Sequence, residues 1–376
     1  MRILKPTEAE SYSEYSNSLQ VQAGLRESQS VTIAGRVIGS PGPCFVIAEA
    51  GVNHNGDVTL AHKLIDAAAE AGADAIKFQT FIADNLALPG ASKAEYQMRS
   101  AGSGESQLDM LRNLELPRSA YPGLVLHAHD KNLIFLSSPF DEASADFLEQ
   151  LGVPAFKIAS GEITNLPFLG HIARKGRPLL VSTGMCELEE VVVAMEEIRR
   201  GGNPPVVLLH CVSCYPAAPE DCNLLAMLTL KVKFGIPVGF SDHTLGTSIA
   251  VAAVALGAAV IERHITLDKK MNGPDHAVSS ELCEFKTMVD SVRNIERALG
   301  DGIKRPALGE REIAAVARKS LYAARDLSPG TVLTPEDLVA RRPGNGISPS
   351  RRGDFIGRTL TRLRTAGESI QEGDFV

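Results

Sequence analysis

Between residues 44 and 264 the chain repeats one unit: a short apolar run, then a stretch of helical periodicity. The runs are 44–49, 74–79, 133–137, 155–159, 178–182, 206–211, 237–241 and 259–264. Helical patterns fall at 57–71, 118–131, 142–151, 165–175, 187–200, 220–234 and 246–257, and a last one at 280–299. The runs are apolar throughout and do not alternate, as strands covered on both faces require. Eight such strands, each leading to a helix, predict an α/β fold of the (β/α)8 TIM-barrel type. An open doubly wound sheet is the alternative, but no G-x-G-x-x-G follows the first run.

A barrel of this type carries its chemistry at the carboxyl ends of its strands. The run ends hold Glu49, Lys77 with Gln79, Ser137-Ser138, Lys157 with Ser160 and Glu162, Ser182-Thr183, His210, Ser241-Asp242-His243, and Glu262 with His264. The run starts hold Pro, Ala and Cys. Residues 237–276 form a strand–helix–strand unit that sets His243 and His264 side by side at one end of the sheet. Two convergent imidazoles suit metal ligation or an acid/base pair. A solvated or capping histidine is the plainer reading of either one alone. Asp242 and Glu262 flank them as carboxylates that could orient the rings. Lys77 and Lys157, with the hydroxyls of Ser160 and Ser182, suit a phosphate clamp. Ser160-Gly161-Glu162 and Ser182-Thr183-Gly184 each lead into a helical stretch whose first N–H groups favour anions. A salt bridge is the plainer reading of each lysine. Together these residues suggest a phosphorylated anion meeting a carbonyl compound at a metal, with Glu49 or Glu162 moving protons. Two alternatives stand beside that. One is a Schiff-base aldolase using Lys157. The other is a carbohydrate-binding C-terminal module on an inert barrel, which the polar strand ends argue against.

The flanks add organisation. Residues 1–30 read as a loose extension without an apolar leader core. Residues 31–40 suit a short hairpin turning near Gly35 and plugging one end of the barrel, which is assigned 31–300. The 80–117 segment is long for a connection and reads as a lid, a subunit contact or a plain surface excursion. A Gly/Pro/charge-rich linker, 301–318, precedes a turn-rich domain at 319–376. A domain of that size has a modest core and is expected to lean on a barrel. The formal charge of −7 argues against bulk binding of nucleic acid or an anionic membrane. The longest nearly apolar stretch, 249–261, is too short to cross a bilayer. Six scattered cysteines suit a reducing, cytoplasmic setting, and the lone C-x-x-C of Cys211 and Cys214 has no second pair with which to build a zinc site.

The sequence resembles the sialic acid synthase family. The resemblance rests on FVIAEAGVNHNG (45–56), DAIKFQTF (74–81), SSPFDEAS (137–144), FKIASGEITN (156–165), LVSTGM (180–185), LLHCVSCYP (208–216), GFSDHT (239–244), ERHITLD (262–268) and GPDH (273–276). RRPGNGI (341–347) resembles its C-terminal antifreeze-like, or SAF, domain, a β-clip fold. The resemblance implies condensation of phosphoenolpyruvate with an N-acetylated mannosamine-type hexosamine and water, giving a nine-carbon 2-keto acid and phosphate. Carried over by motif, His243 and His264 would hold a divalent metal, Mn2+ or Mg2+. Lys77, Lys157, Ser160, Ser182 and Ser241 would bind phosphoenolpyruvate, together with Ser213, which stands where many members carry Asn. Glu49, Gln79, Tyr215 and Asp275 would bind the sugar. Glu49, Glu162 and Lys157 are the implied catalytic residues. Arg342 would reach the sugar's N-acetyl group from the other subunit of a domain-swapped homodimer. Ser100-Ala101 replaces an Asn-Thr often seen in the lid. The GPDH and KFQTF motifs sit closer to the N-acetylneuraminate and legionaminate branches than to the pseudaminate branch.

Overall fold

The computed structural model describes residues 29–93 and 106–375. Two short strands, β1 (Val31–Ile33) and β2 (Arg36–Ile38), form an antiparallel hairpin turning on Ala34 and Gly35. Eight parallel strands follow: β3 (Phe45–Gly51), β4 (Ala75–Thr80), β5 (Ile134–Pro139), β6 (Phe156–Ile158), β7 (Leu179–Ser182), β8 (Val206–Cys211), β9 (Val238–Asp242) and β10 (Val260–His264). They close into a barrel in the order β10-β3-β4-β5-β6-β7-β8-β9. The seam joins the first and last of them, with Val260 opposite Phe45 and His264 opposite Glu49.

Two apolar layers hold the barrel. Alternate strand residues point inward, so Phe45, Ile47, Leu136, Leu180, Val207, Leu209 and Val260 fill its interior. Val31, Ile33 and Ile38 of the hairpin join that cluster at the end where the strands begin, as the expected plug. The other strand face packs against the helices through Val46, Phe78, Ile158, Val181, Phe240, Ile261 and their partners. Helix starts are fixed by side-chain caps: Asp57 accepts from Thr59 N, Asp141 accepts from Ser144 N, and Glu187 with Glu190 forms a reciprocal box.

Several boundaries differ from those read in the sequence. The expected helix 220–234 begins only at Ala226, because Asn223 sits at φ 40, outside any right-handed helix. The expected helix 118–131 is a 3-10 turn, Arg118–Ala120, followed by the helix Tyr121–Asp130. The 80–117 segment contains helices Ala83–Leu86 and Gln107–Leu114, and Ala83, Leu108, Met110 and Leu114 share an apolar cluster with Val52 and Phe81. Ser100 and Ala101 lie outside the described residues, as do residues 1–28. Within the expected linker, Glu310–Ala317 is helical. None of its residues is buried; Ile313 and Val316, one turn apart on one face, stay exposed.

The chain divides into two compact units between Asp301 and Gly302. The second unit pairs β11 (Ser320–Ala323) with β12 (Leu338–Arg341), and closes a core of Leu321, Leu327, Leu333, Leu338, Phe355, Leu360 and Ile370. No described helix is long and apolar enough to cross a membrane.

Candidate active site

The carboxyl ends of the strands surround a cavity of about 460 Å³. Strand pleating decides who enters it. Ser241 and His243 point in from the end of β9, while Asp242 between them points out. Glu262 and His264 point in from β10, while Arg263 points out and meets Asp242 at 3.2 Å. Asp242 is therefore not an orienter of the histidines. Its other carboxylate oxygen accepts from Thr244 N and Oγ1, which pins the turn after β9.

Four ionisable groups form the floor. Lys77 Nζ lies 2.7 Å from Glu49 Oε2 and 3.8 Å from Glu262 Oε2, and it donates to Ser138 Oγ at 3.1 Å. Lys157 Nζ donates to Ser182 Oγ at 2.7 Å and to the Ile158 carbonyl at 3.2 Å, and it lies 3.5 Å from Glu262 Oε1. Ser241 Oγ donates to the same Glu262 oxygen. All four are buried, so water does not screen them. Burial would raise the Glu262 carboxyl, but Lys157 and Lys77 draw it down to about 2. Burial pushes Glu49 up to about 7, against the pull of Lys77. Burial lowers Lys157, and Glu262 only partly offsets it. Lys77 is held above the ordinary lysine value because Glu262 and Glu49 outweigh its burial.

The second group is aromatic and sits beside the seam. His243 Nδ1 donates to the Val212 carbonyl at 2.7 Å; burial would lower this imidazole, but Cys211 and that carbonyl raise it, so Nε2 carries a lone pair only once the ring is neutral. His264 Nδ1 is buried with no hydrogen-bond partner. The two rings are 5.6 Å apart, and Tyr215 lies against both, at 4.1 Å from His243 and 5.8 Å from His264. Asp275 Oδ2 is 3.9 Å from His264 Nδ1. Burial raises Asp275 to about 6, and burial with the neighbouring His243 holds His264 well below the usual imidazole value. His264 is thus neutral, the form in which an imidazole ligates. Among the described residues no three His, Cys, Asp or Glu side chains cluster as a metal centre.

The hydroxyls of Ser160 and Ser213 flank Gly184. Ser160 Oγ accepts from Gly184 N at 3.0 Å, and a methyl group at position 184 would strike both hydroxyl oxygens. A bare glycine here lets the two hydroxyls stand together against the backbone, with the Gly184 N–H orienting Ser160 Oγ so that its own hydrogen is free to donate, an arrangement suited to phosphate oxygens.

Comparison with known proteins identifies the family. The NeuB family model matches residues 64–304, and the SAF domain model matches 318–376. The chain belongs to the NeuB family. N,N'-diacetyllegionaminic acid synthase of Legionella pneumophila is 48% identical over 88% of this chain and 94% of that protein. The synthase of the same name from Campylobacter jejuni is 47% identical over 87% of this chain and 99% of its own length. The crystal structure of N-acetylneuraminic acid synthetase from Leptospira borgpetersenii superposes with a TM-score of 0.67 at 35% identity, covering 76% of this chain and 95% of that one. This NeuB member is an enzyme, a synthase of the sialic acid type.

In this NeuB barrel, Glu49, Lys77, Gln79, Lys157, Ser160, Ser182, Ser213, Tyr215, Ser241, His243, His264 and Asp275 all line the one cavity. Glu162 does not line it. Its carboxylate accepts from Asn165 Nδ2 at 2.8 Å in the turn after Ser160. Arg342 is exposed and belongs to the second unit. Glu262 stood among the polar strand ends in the sequence, but its role as the carboxylate shared by both lysines was not visible there. Its position two residues before His264, on the same strand face, was the available signal. Ser138 was equally visible as a strand-end hydroxyl and unassigned.

Proposed function

We propose that the chain condenses phosphoenolpyruvate with an N-acetylated mannosamine-type sugar and water, releasing phosphate and a nine-carbon 2-keto acid. The observation that carries this is the buried quartet of Lys77, Lys157, Glu49 and Glu262. Two ammonium groups balance two carboxylates when all four are ionised. With Glu49 protonated, one positive charge is left over, which favours a polyanionic substrate. The phosphate would lie against Lys77, Lys157 and the Ser160–Gly184–Ser213 recess, with Ser182 and Ser241 holding the lysine and carboxylate beneath. The aldehyde carbon of the open-chain sugar then lies toward Glu49, Gln79, Tyr215 and Asp275. C3 of phosphoenolpyruvate forms the new C–C bond to it, water adds at C2, and phosphate leaves with its C–O bond. Glu49, hydrogen-bonded by Gln79 Nε2 at 3.4 Å, supplies the proton that the aldehyde oxygen takes up.

His243 Nε2 and the orphaned His264 nitrogen fit a divalent metal, Mn2+ or Mg2+, with its remaining positions left to water and substrate. Such a metal would supply Lewis acidity toward the aldehyde oxygen. The Schiff-base alternative is less well supported, because Lys157 Nζ is already held by Ser182, the Ile158 carbonyl and Glu262.

The sugar is read as a 2,4-diacetamido-6-deoxy-mannose type rather than N-acetylmannosamine. Two features support this. The relatives at 48% and 47% identity carry N,N'-diacetyl in their names. Opposite the polar ring, Val52, Leu86, Leu111 and Phe140 give the cavity an apolar side, which suits methyl groups better than hydroxyls. Arg342 is read as the partner subunit's contribution in a swapped homodimer, and the reaction as cytoplasmic, where phosphoenolpyruvate is made. The test is phosphate release with Mn2+, phosphoenolpyruvate and each sugar in parallel. Sugar-dependent release, with the higher kcat/KM for the diacetamido sugar, is expected. Release with neither sugar, or borohydride trapping of a substrate on Lys157, overturns the reading.

A further inference from the structure

The two residues on the sugar side of the site, His264 and Asp275, lie at opposite ends of an excursion from the barrel. The chain leaves at Ile265 and returns at Ser280. Its neck is closed by backbone bonds: Ile265 N to the Glu49 carbonyl, Ser280 N to the His264 carbonyl, and Thr266 N to the Ser280 carbonyl, at 2.8, 2.9 and 2.9 Å. These bonds fix where the excursion starts. A 3-10 turn, His276–Val278, links Asp275 to that neck, with Val278 N donating to the Asp275 carbonyl at 3.3 Å, and side chains set how the turn sits against His264.

One side chain ties the turn to the neck. Asn53, in the turn after β3, is 1% exposed. Its Nδ2 donates both hydrogens at 2.8 Å, one to the Ile265 carbonyl and one to Ser279 Oγ. Ser279 Oγ passes its own hydrogen to the Asp275 carbonyl at 2.6 Å. The amide is thus a fork with one arm beside His264 and the other, through Ser279, on Asp275. Its oxygen, Oδ1, is buried with no partner. A buried unpartnered acceptor is unfavourable. A side chain present only to fill space would avoid it, so the residue is held there by its two donors. A second tie runs parallel. His276 bonds Thr266 Oγ1 at 2.7 Å and Asn55 Oδ1 at 3.2 Å, and Asn55 Nδ2 donates to the Asn272 carbonyl at 2.9 Å.

We infer that Asn53 is a positioning residue that places His264 through its Ile265 arm and Asp275 through its Ser279 arm, and thereby sets metal affinity through the first and sugar affinity through the second. It touches neither ligand. The inference rests on the assignment of His264 to the metal and Asp275 to the sugar given above. The fork bears on the phosphoenolpyruvate half only remotely, because Lys77, Lys157 and Ser182 stand on other strands and Ser160 in the turn after β6.

The experiment uses the full chain, with Asn53→Ala and Ser279→Ala beside wild type. Mn2+ affinity is read by calorimetry on the substrate-free protein, and KM for each substrate by phosphate release. Losing a buried hydrogen bond of ordinary net worth changes an affinity about tenfold. Asn53→Ala should raise the sugar KM about tenfold and weaken Mn2+ binding, while the phosphoenolpyruvate KM stays within about twofold. Ser279→Ala cuts only the Asp275 arm, so it should raise the sugar KM and leave Mn2+ binding unchanged. A folded Asn53→Ala with wild-type sugar KM and Mn2+ affinity overturns the inference, as does an equal rise in both KM values. If Asn53→Ala does not fold, a wild-type sugar KM in Ser279→Ala overturns it. If wild type turns over no sugar, the proposed function fails, and the Mn2+ titration still decides this inference. Wild type that binds no Mn2+ overturns both.

Discussion

Glu262 is the residue whose loss should separate stability from substrate binding. Its carboxylate is 5% exposed and faces Lys157 at 3.5 Å and Lys77 at 3.8 Å. The Glu262→Gln variant keeps the shape and the Ser241 contact but leaves two buried ammonium groups sharing only Glu49. The depression of Glu262 from the ordinary 4.5 to about 2 is worth about 3 kcal/mol of folding free energy. Removing one partner of a buried pair costs on the same order, about 3–5 kcal/mol. A folded-state pKa lowered in this way contributes stability that is present above pH 4.5 and is lost as pH falls toward 2. The variant should therefore be less stable at neutral pH by about 3 kcal/mol and should lack that part of the acid limb. Phosphoenolpyruvate would bring back negative charge to the same lysines. Its addition should raise the Tm of Glu262→Gln more than that of wild type, and calorimetry should find its Kd no weaker. Thermal unfolding at pH 7 and pH 4, with and without phosphoenolpyruvate, reads all of this. A variant as stable as wild type, or one that phosphoenolpyruvate stabilises less, would refute the view of Glu262 as a carboxylate standing in for substrate charge.

Three further outcomes follow from the geometry. Glu49, raised to about 7 by burial, should give the pH profile of kcat/KM an ionisation near that value, and Glu49→Gln should abolish it along with at least about a hundredfold of rate. His243→Ala should abolish Mn2+-dependent turnover, and chelation of wild type should abolish turnover until Mn2+ is added back; unchanged activity after chelation would remove the metal from the reading. Gly239→Ala, in β9, would put a Cβ 2.5 Å from the Val260 carbonyl and 2.6 Å from its Cβ, so chemical denaturation should show a loss of about 3 kcal/mol, at the upper end for overpacking.

The barrel was legible because each strand is covered on both faces and therefore reads as an unbroken apolar run. The site was legible because lysine, glutamate and histidine recur together at such run ends, although each alone has a plainer structural reading. What stayed hidden depends on partners distant in sequence. Asp242 beside His243 reads as its orienter, and only the pleat, which sends neighbours to opposite faces, gives it to Arg263. Glu262 became identifiable as the shared counter-ion only once β4 and β6 brought Lys77 and Lys157 to it. The same holds for Gly184, whose missing side chain matters because Ser160 and Ser213 come from other strand ends. The helix Glu310–Ala317 is only 8 residues long and follows a Gly/Pro/charge-rich stretch, so its Ile313–Val316 face was read as part of a linker.

The seam between β3 and β10 has a consequence in time. Glu49 and His264 are register partners across it, although one lies near the start of the barrel sequence and the other at its last strand. Contacts this far apart in the chain are among the last to be rewarded during folding, because the intervening loop must close first. During synthesis, the strands from β3 to β9 can emerge and pack their helices while the two histidines still have no common site. A nascent or truncated barrel ending before residue 264 would hold the lysines, the serines, Glu49 and His243 and lack His264 and Asp275. Catalytic competence in this fold therefore arrives with the closing strand rather than growing as strands are added.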